Sequence, residues 1–204
     1  MAVKNIQFTK LEIRIVSYLF KHYQDKFNPR QLAKLLGINH AHSICLCRSL
    51  EDKKLLVREE LGNSIFFSYN YNHKLAIKFM EYLLSLEEKV FPNWLLEAAH
   101  LLKKFKNNIE MGMVFGSSIK TKDFKDIAVL LVYGEKKTAE IKRIKEEIRK
   151  SGLIEKPIRY IEMTPKDLVL NLNKKDRIVY SIMSENLIFH NPEKYVEGVR
   201  RCHR

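Results

Sequence analysis

The sequence predicts an α+β protein in two halves, and three observations carry that expectation. Residues 9–54 place apolar side chains at helical spacing between cap and turn signals. Residues 55–69 change to short β-branched and aromatic runs around Gly62-Asn63. From Ile109 onward, apolar strand-like runs alternate with a charged helical stretch, as in a sheet covered by helices. A chain of 204 residues has room for two cores of about 100 residues each.

The first helix is expected from Lys10 to Tyr23, because Thr9 and Glu12 form a capping box and Leu11, Ile15, Leu19 and Tyr23 recur at helical spacing. Asn28-Pro29 starts a second helix, striped by Leu32, Leu35 and Leu36 and ended by Gly37. Asn39 caps a third that ends near Lys54. Its Ser43, Leu46, Cys47 and Leu50 share one face, while Ala41, Cys45, Arg48, Ser49 and Asp52 face away. Leu55 to Val57 and Ile65 to Tyr69 then read as a hairpin about Gly62-Asn63.

Asn72 to Val90 follows as an amphipathic helix with Leu75, Phe79, Tyr82, Leu83 and Leu86 on its stripe. Beyond Phe91-Pro92 comes another helix, with Trp94, Leu95, Ala98, Leu101 and Leu102. These two helices are expected as a connector over 73–107 that packs in a core or along a dimer seam. Strands are expected at Ile109–Phe115, Ile127–Tyr133 and Ile158–Met163, with a basic helix at Glu135–Lys150.

Composition excludes several classes. With 46% apolar residues, 7 Gly and 5 Pro, the chain is neither disordered nor collagen-like. Cys45, Cys47 and Cys202 are an odd, scattered set, and no apolar stretch follows a basic start, so a cytoplasmic protein without a disulfide framework is expected. The longest apolar runs fall short of the roughly 20 residues that a membrane-spanning helix needs. The net charge is +13, split as +5 up to Val90 and +8 after it, which favours a polyanionic partner.

The order helix, helix, helix, hairpin resembles the winged helix-turn-helix family of bacterial and archaeal regulators. Arg30-Gln31-Leu32-Ala33, Leu36-Gly37-Ile38 and Leu50 through Val57 carry the likeness, which spans roughly residues 8–72. The resemblance implies a first domain over 1–72 whose third helix enters the DNA major groove. Its candidate nucleic-acid contacts are Arg30, His40, His42, Cys45, Arg48 and Ser49. The wing carries Glu59 and Glu60 and has no Lys or Arg at its tip, so it departs from wings that grip phosphate. A winged helix used for protein contacts is the competing expectation.

Residues 109–197 resemble the nucleotidyltransferase superfamily, in which a strand leads to Gly-Ser and then to a strand bearing Asp-apolar-Asp. The matching residues are Val114-Phe115-Gly116-Ser117 and Asp126-Ile127-Ala128, followed by Pro157 to Pro165, Leu187 to His190 and Pro192 to Tyr195. The resemblance implies a mixed sheet with flanking helices over 108–204. Active members hold two Mg²⁺ ions on three carboxylates. Here only Asp126 is in place: Ala128 occupies the second position, and Arg159 falls where the third carboxylate would be. The residual motif Gly116, Ser117 and Asp126 is therefore expected to be non-catalytic and without metal. On a regular strand Glu162 points to the face opposite Arg159 and does not substitute.

Gly116 and Ser117, with Lys120, Lys122 and Lys125 nearby, remain candidates for phosphate binding. His40, His42, Cys45 and Cys47 do not make a zinc site, since residues 45 and 47 point about 200° apart on a helix. The basic helix at 135–150 reads either as a solvated face or as a nucleic-acid backbone platform. No phosphate-binding loop or serine nucleophile elbow is present in the sequence.

The expected function is nucleic-acid binding, with DNA favoured over RNA, as a transcriptional regulator. Its second domain would serve dimerisation, ligand sensing or extra nucleic-acid contact, and no cofactor is expected. The alternatives are an active nucleotidyltransferase modifying a protein or RNA, for which Mg²⁺ and nucleotide would be needed, and a protein-interaction adaptor. A homodimer is compatible with each.

Overall fold

In the computed structural model, which describes residues 7–87 and 90–203, helix caps organise the first unit, Met1–Met80. Helix α1 (Lys10–Lys21) begins at a reciprocal capping box: Thr9 Oγ1 accepts the Glu12 N–H at 3.1 Å, and Glu12 Oε2 accepts the Thr9 N–H at 2.9 Å. Helix α2 (Pro29–Leu36) repeats the device with Asn28 and Gln31, and Gly37 ends it at φ 67°, a left-handed geometry that glycine adopts without a Cβ penalty. Asn39 starts α3 (His40–Asp52) by accepting the Ala41 N–H.

The face of α3 bearing Ser43, Leu46, Cys47 and Leu50 is buried, as are Ile15, Val16, Leu19 and Phe20 of α1 and Leu32 of α2. Strands β1 (Leu56–Leu61) and β2 (Ser64–Tyr69) form an antiparallel hairpin joined at Gly62-Asn63. The first strand runs four residues beyond its expected end at Val57. Phe67 and Tyr69 alternate inward and close the core, and Phe67 also bridges to Phe27.

Helix α4 (Lys74–Glu87) buries a different stripe from the expected one. Ala76, Met80 and Leu84 are buried, while Leu75, Tyr82 and Leu86 are exposed. The helix is apolar on more than one side, and periodicity alone cannot rank the stripes. Tyr69 donates its hydroxyl to the Ala76 carbonyl, so the start of the buried stripe lies against the end of β2.

The second unit, Glu81–Arg204, holds α5 (Leu96–Leu102), β3 (Met111–Phe115), β4 (Ile127–Val132), α6 (Thr138–Ser151) and β5 (Ile158–Met163). It continues with α7 (Pro165–Asn173), α8 (Arg177–Ser184), β6 (Asn186–His190) and α9 (Pro192–Arg201). Leu95, Ala98, Leu101 and Leu102, from the stretch expected as a connector, pack in the core of the second unit. The sheet order is β5-β4-β3-β6, with β4 parallel to β5 and the other pairs antiparallel. Ile127, Val129, Leu131 and Val114 pack with α5 and with Ile141, Ile144 and Ile148 of α6. Their alternates, including Ala128, Leu130 and Met113, face the side on which α7 packs against β5 and α9 against β3.

Glu12 ties the first unit together. It is 3% exposed and accepts hydrogen bonds from the Ser49 hydroxyl at 2.8 Å and from Lys53 Nζ at 2.6 Å. Burial alone would raise its pKa, but Lys53, the Thr9 N–H and Ser49 outweigh that and hold the carboxyl below its ordinary value. The folded value lies under the unfolded one, so this stabilisation is present above the unfolded pKa and is lost as pH falls through the folded one. Glu12→Gln is therefore expected to cost about 1–3 kcal/mol near neutral pH. In urea titrations the difference from the parent chain should shrink once the pH falls below the ordinary carboxylate range.

Candidate nucleic-acid interface

The turn between α2 and α3 is short because Gly37 reverses the chain and the Ile38 N–H returns to the Ala33 carbonyl at 3.0 Å. It brings the starts of both helices beside the hairpin. Between them lies a cleft of about 410 Å³, whose helical wall carries Arg30, His40, Ile44 and Arg48. His40, Ile44 and Arg48 are four residues apart and so form one stripe of α3. The opposite wall comprises Arg58, Ile65 and Phe67 of the hairpin, with Asn63 and Ser64 at its rim.

Of the six predicted contacts, Arg30, His40 and Arg48 line this cleft. His42 and Cys45 are exposed on α3 but lie outside it. Ser49 is turned toward α1, its hydroxyl committed to Glu12. Arg30 and Arg48 make no ion pair with another described residue, so their charge is available to an anion. Glu59 and Glu60, the acidic residues of β1, are paired with Lys26 and Arg58, each at 2.5 Å. Arg58 and Phe67 were not among the predicted contacts. The signal for them is the two-residue loop at Gly62-Asn63, whose register sets Arg58 opposite Phe67.

The two cysteines of α3 differ in environment. Cys47 is buried, and desolvation pushes its thiol up to about 12, whereas Cys45 is exposed. Among the described residues, no group of three His, Cys, Asp or Glu side chains is arranged to hold a metal ion.

In the second unit, Gly116 adopts φ 83° and ψ −155°, a conformation that requires glycine, and leads into a single 3₁₀ turn at Ser117–Ile119. Such a turn is too short to build a helix dipole. Lys120 pairs with Glu185 at 2.5 Å, while Lys122 and Lys125 are exposed. Asp126 accepts a hydrogen bond from Arg159 Nε at 3.0 Å, and Ala128 lies directly beside Arg159 in the β4–β5 register. The Arg159 guanidinium also lies 6.0 Å from the Phe115 ring centroid.

Glu162 is on the other face, bound to Lys145 at 2.5 Å and to the Tyr133 hydroxyl. Burial opposes its ionisation, yet Lys145 and Tyr133 together hold its carboxyl below the ordinary value. Burial and this same carboxylate push Tyr133 up to about 12. Asp126 is thus paired with a guanidinium, and a divalent ion at that carboxylate would have to displace or overcome a cation.

Among the described residues, no helix is long and apolar enough to cross a membrane. No family model, curated protein or solved structure matches the chain. The exposure of the α3 cysteines is directly measurable: a thiol-reactive disulfide reagent is expected to label Cys45 in the native chain while Cys47 reacts only after unfolding. Peptide mapping of the labelled residues checks this, and early labelling of Cys47 would show that α3 presents a different face.

Proposed function

We propose that this chain is a nucleic-acid-binding protein, a DNA-binding transcriptional regulator whose first unit works as a winged helix-turn-helix module. The observation that carries the reading is the cleft in which Arg30 and Arg48, without ion-pair partners among the described residues, converge with Arg58 and His40. The starts of α2 and α3 add the positive ends of their helix dipoles. An exposed stripe on α3 suits a major groove, and cations flanking it suit the two phosphate backbones. The hairpin contributes Arg58 and its polar rim rather than a basic tip, so α2 and α3 supply most of the phosphate contact.

For the second unit the reading is a nucleotidyltransferase-like domain that binds without turnover. The ion pair between Asp126 and Arg159 supports it, since it occupies the position where metal chemistry would need a second anion.

Fluorescence anisotropy with duplex DNA and with structured RNA, repeated across a salt series, tests the main reading. Log affinity for the duplex should fall steeply with log salt, and Arg30→Ala should lower the slope by about one unit. Arg48→Ala should cost about 1–3 kcal/mol against a selected sequence and less against random duplex. Duplex affinity that is absent, or insensitive to salt and to both substitutions, would refute it.

A further inference from the structure

The sheet of the second unit has two edges, and they are unlike. At one edge, β6 is irregular: its pairing with β3 shifts register between Gly112 and Met113, and Pro192 follows two residues after its end. Bulges and prolines of this kind blunt an edge against further pairing. At the other edge, β5 is regular over six residues, contains neither Gly nor Pro, and carries Ile158, Tyr160, Ile161 and Met163.

Which backbone groups of β5 point outward follows from its ladder. Pro157 O accepts the Ile127 N–H at 2.9 Å, and Met163 O accepts the Tyr133 N–H at 3.1 Å. A parallel ladder uses alternate residues, so Pro157, Arg159, Ile161 and Met163 bond to β4. The N–H and C=O groups of Ile158, Tyr160 and Glu162 face away from the sheet. Beside them, on the α6 side, lies an open cleft of about 470 Å³ bordered by Ile148, Ile154, Ile158 and Tyr160.

We infer that this edge pairs with the same edge of a second copy, joining two four-stranded sheets into one of eight strands across a twofold axis at Tyr160. A twofold makes the pairing antiparallel, and only one register engages all three outward residues: Tyr160 opposite Tyr160, and Ile158 opposite Glu162. That register forms six backbone hydrogen bonds. It also brings Glu162 of each copy toward the start of β5 in the other, where Lys156, in the bend that precedes the strand, borders the same cleft. Lys156 makes no ion pair with another described residue, so this contact completes it. The two Tyr160 rings meet as a cross-strand aromatic pair at the mouth of the cleft.

Charge selects the second copy over a polyanion or a strongly acidic segment. Of the cations at this cleft, Lys145 is matched by Glu162 and Arg149 by Glu146, and Lys156 is offset by Glu155 in the same lining, so the edge has little net charge to attract a highly charged partner. The inference does not rest on the nucleic-acid reading, which concerns the first unit and stands or falls by itself.

The test is sedimentation equilibrium of the full chain over a concentration series, together with residue-resolved amide exchange. The expected result is a dimer in which the amides of Ile158, Tyr160 and Glu162 gain protection as concentration rises, while those of Arg159, Ile161 and Met163 are protected throughout. Ile158→Pro removes one outward donor at the first residue of the strand, where proline is tolerated. It is expected to weaken dimerisation at least about tenfold. Lys156→Glu, which leaves the fold's own contacts intact, is expected to weaken it several-fold, with the difference shrinking in high salt. A chain that stays monomeric throughout the series would overturn the inference. So would a dimer whose outward amides exchange as fast as in dilute solution, or one that both variants leave unchanged while circular dichroism shows them folded.

Discussion

The second unit depends on one constraint: its two central strands must be covered on both faces. All five residues of β3 and all six of β4 are buried, so neither strand can turn a face to water. A continuous apolar run such as Ile127 to Val132 is the sequence form of this constraint. Helices must then come from both directions, α5 and α6 on one side and α7 and α9 on the other. The same demand accounts for Gly112. A Cβ there would lie 2.3 Å from the Phe189 ring, so β3 can pass under that aromatic only without a side chain.

From this packing the surroundings of Asp126 follow. Parallel pairing of β4 with β5 sets Ala128 beside Arg159, and alternation sends Arg159 to the face of Asp126 while Glu162 goes to the face of α6. One register therefore decides two chemistries. On one face it leaves a carboxylate neutralised by a guanidinium. On the other it builds the Lys145, Glu162 and Tyr133 cluster, with Lys145 also 4.8 Å from the Tyr160 ring centroid. A slip of one residue would exchange them.

Much of this was legible in the residues. Caps announce themselves locally, so Thr9 with Glu12, Asn28 with Pro29, and Asn39 mark helix starts that the structure shows at the expected places. The buried face of α3 and the strand over Ile158–Met163 follow from period alone. What escaped was set by tertiary choice. On α4 two stripes competed, and the one buried begins at Ala76, whose carbonyl accepts from Tyr69. The helices α7 and α8, between Pro165 and Ser184, lack a long apolar run; α7 packs on β5, and α8 packs on α7. In the cleft, Arg30, His40 and Arg48 belong to capped helices and are placed by local rules. Arg58 reaches it only through strand register, and Ser49 is withdrawn by a carboxylate 37 residues away.

Charge shows the same division between local and tertiary information. The net excess of +13 suggests cations everywhere, yet its usefulness depends on which cations lack partners. On α6, Arg143 faces Glu147 and Arg149 faces Glu146 within the helix, and Lys145 reaches across to Glu162 on β5. Those pairs account for several of the charges that make this helix look like a phosphate platform. In the first unit the acidic residues of β1 are likewise matched by Lys26 and Arg58, while the helical wall of the cleft has no acidic side chain to quench Arg30 and Arg48. An anion approaching the molecule meets two unneutralised guanidinium groups there, against a mixed surface on α6. Exposed pairs are individually weak, so their main effect is to cancel the field rather than to stabilise the fold. Between these two basic surfaces the difference is that cancellation, present on α6 and absent from the helical wall of the cleft.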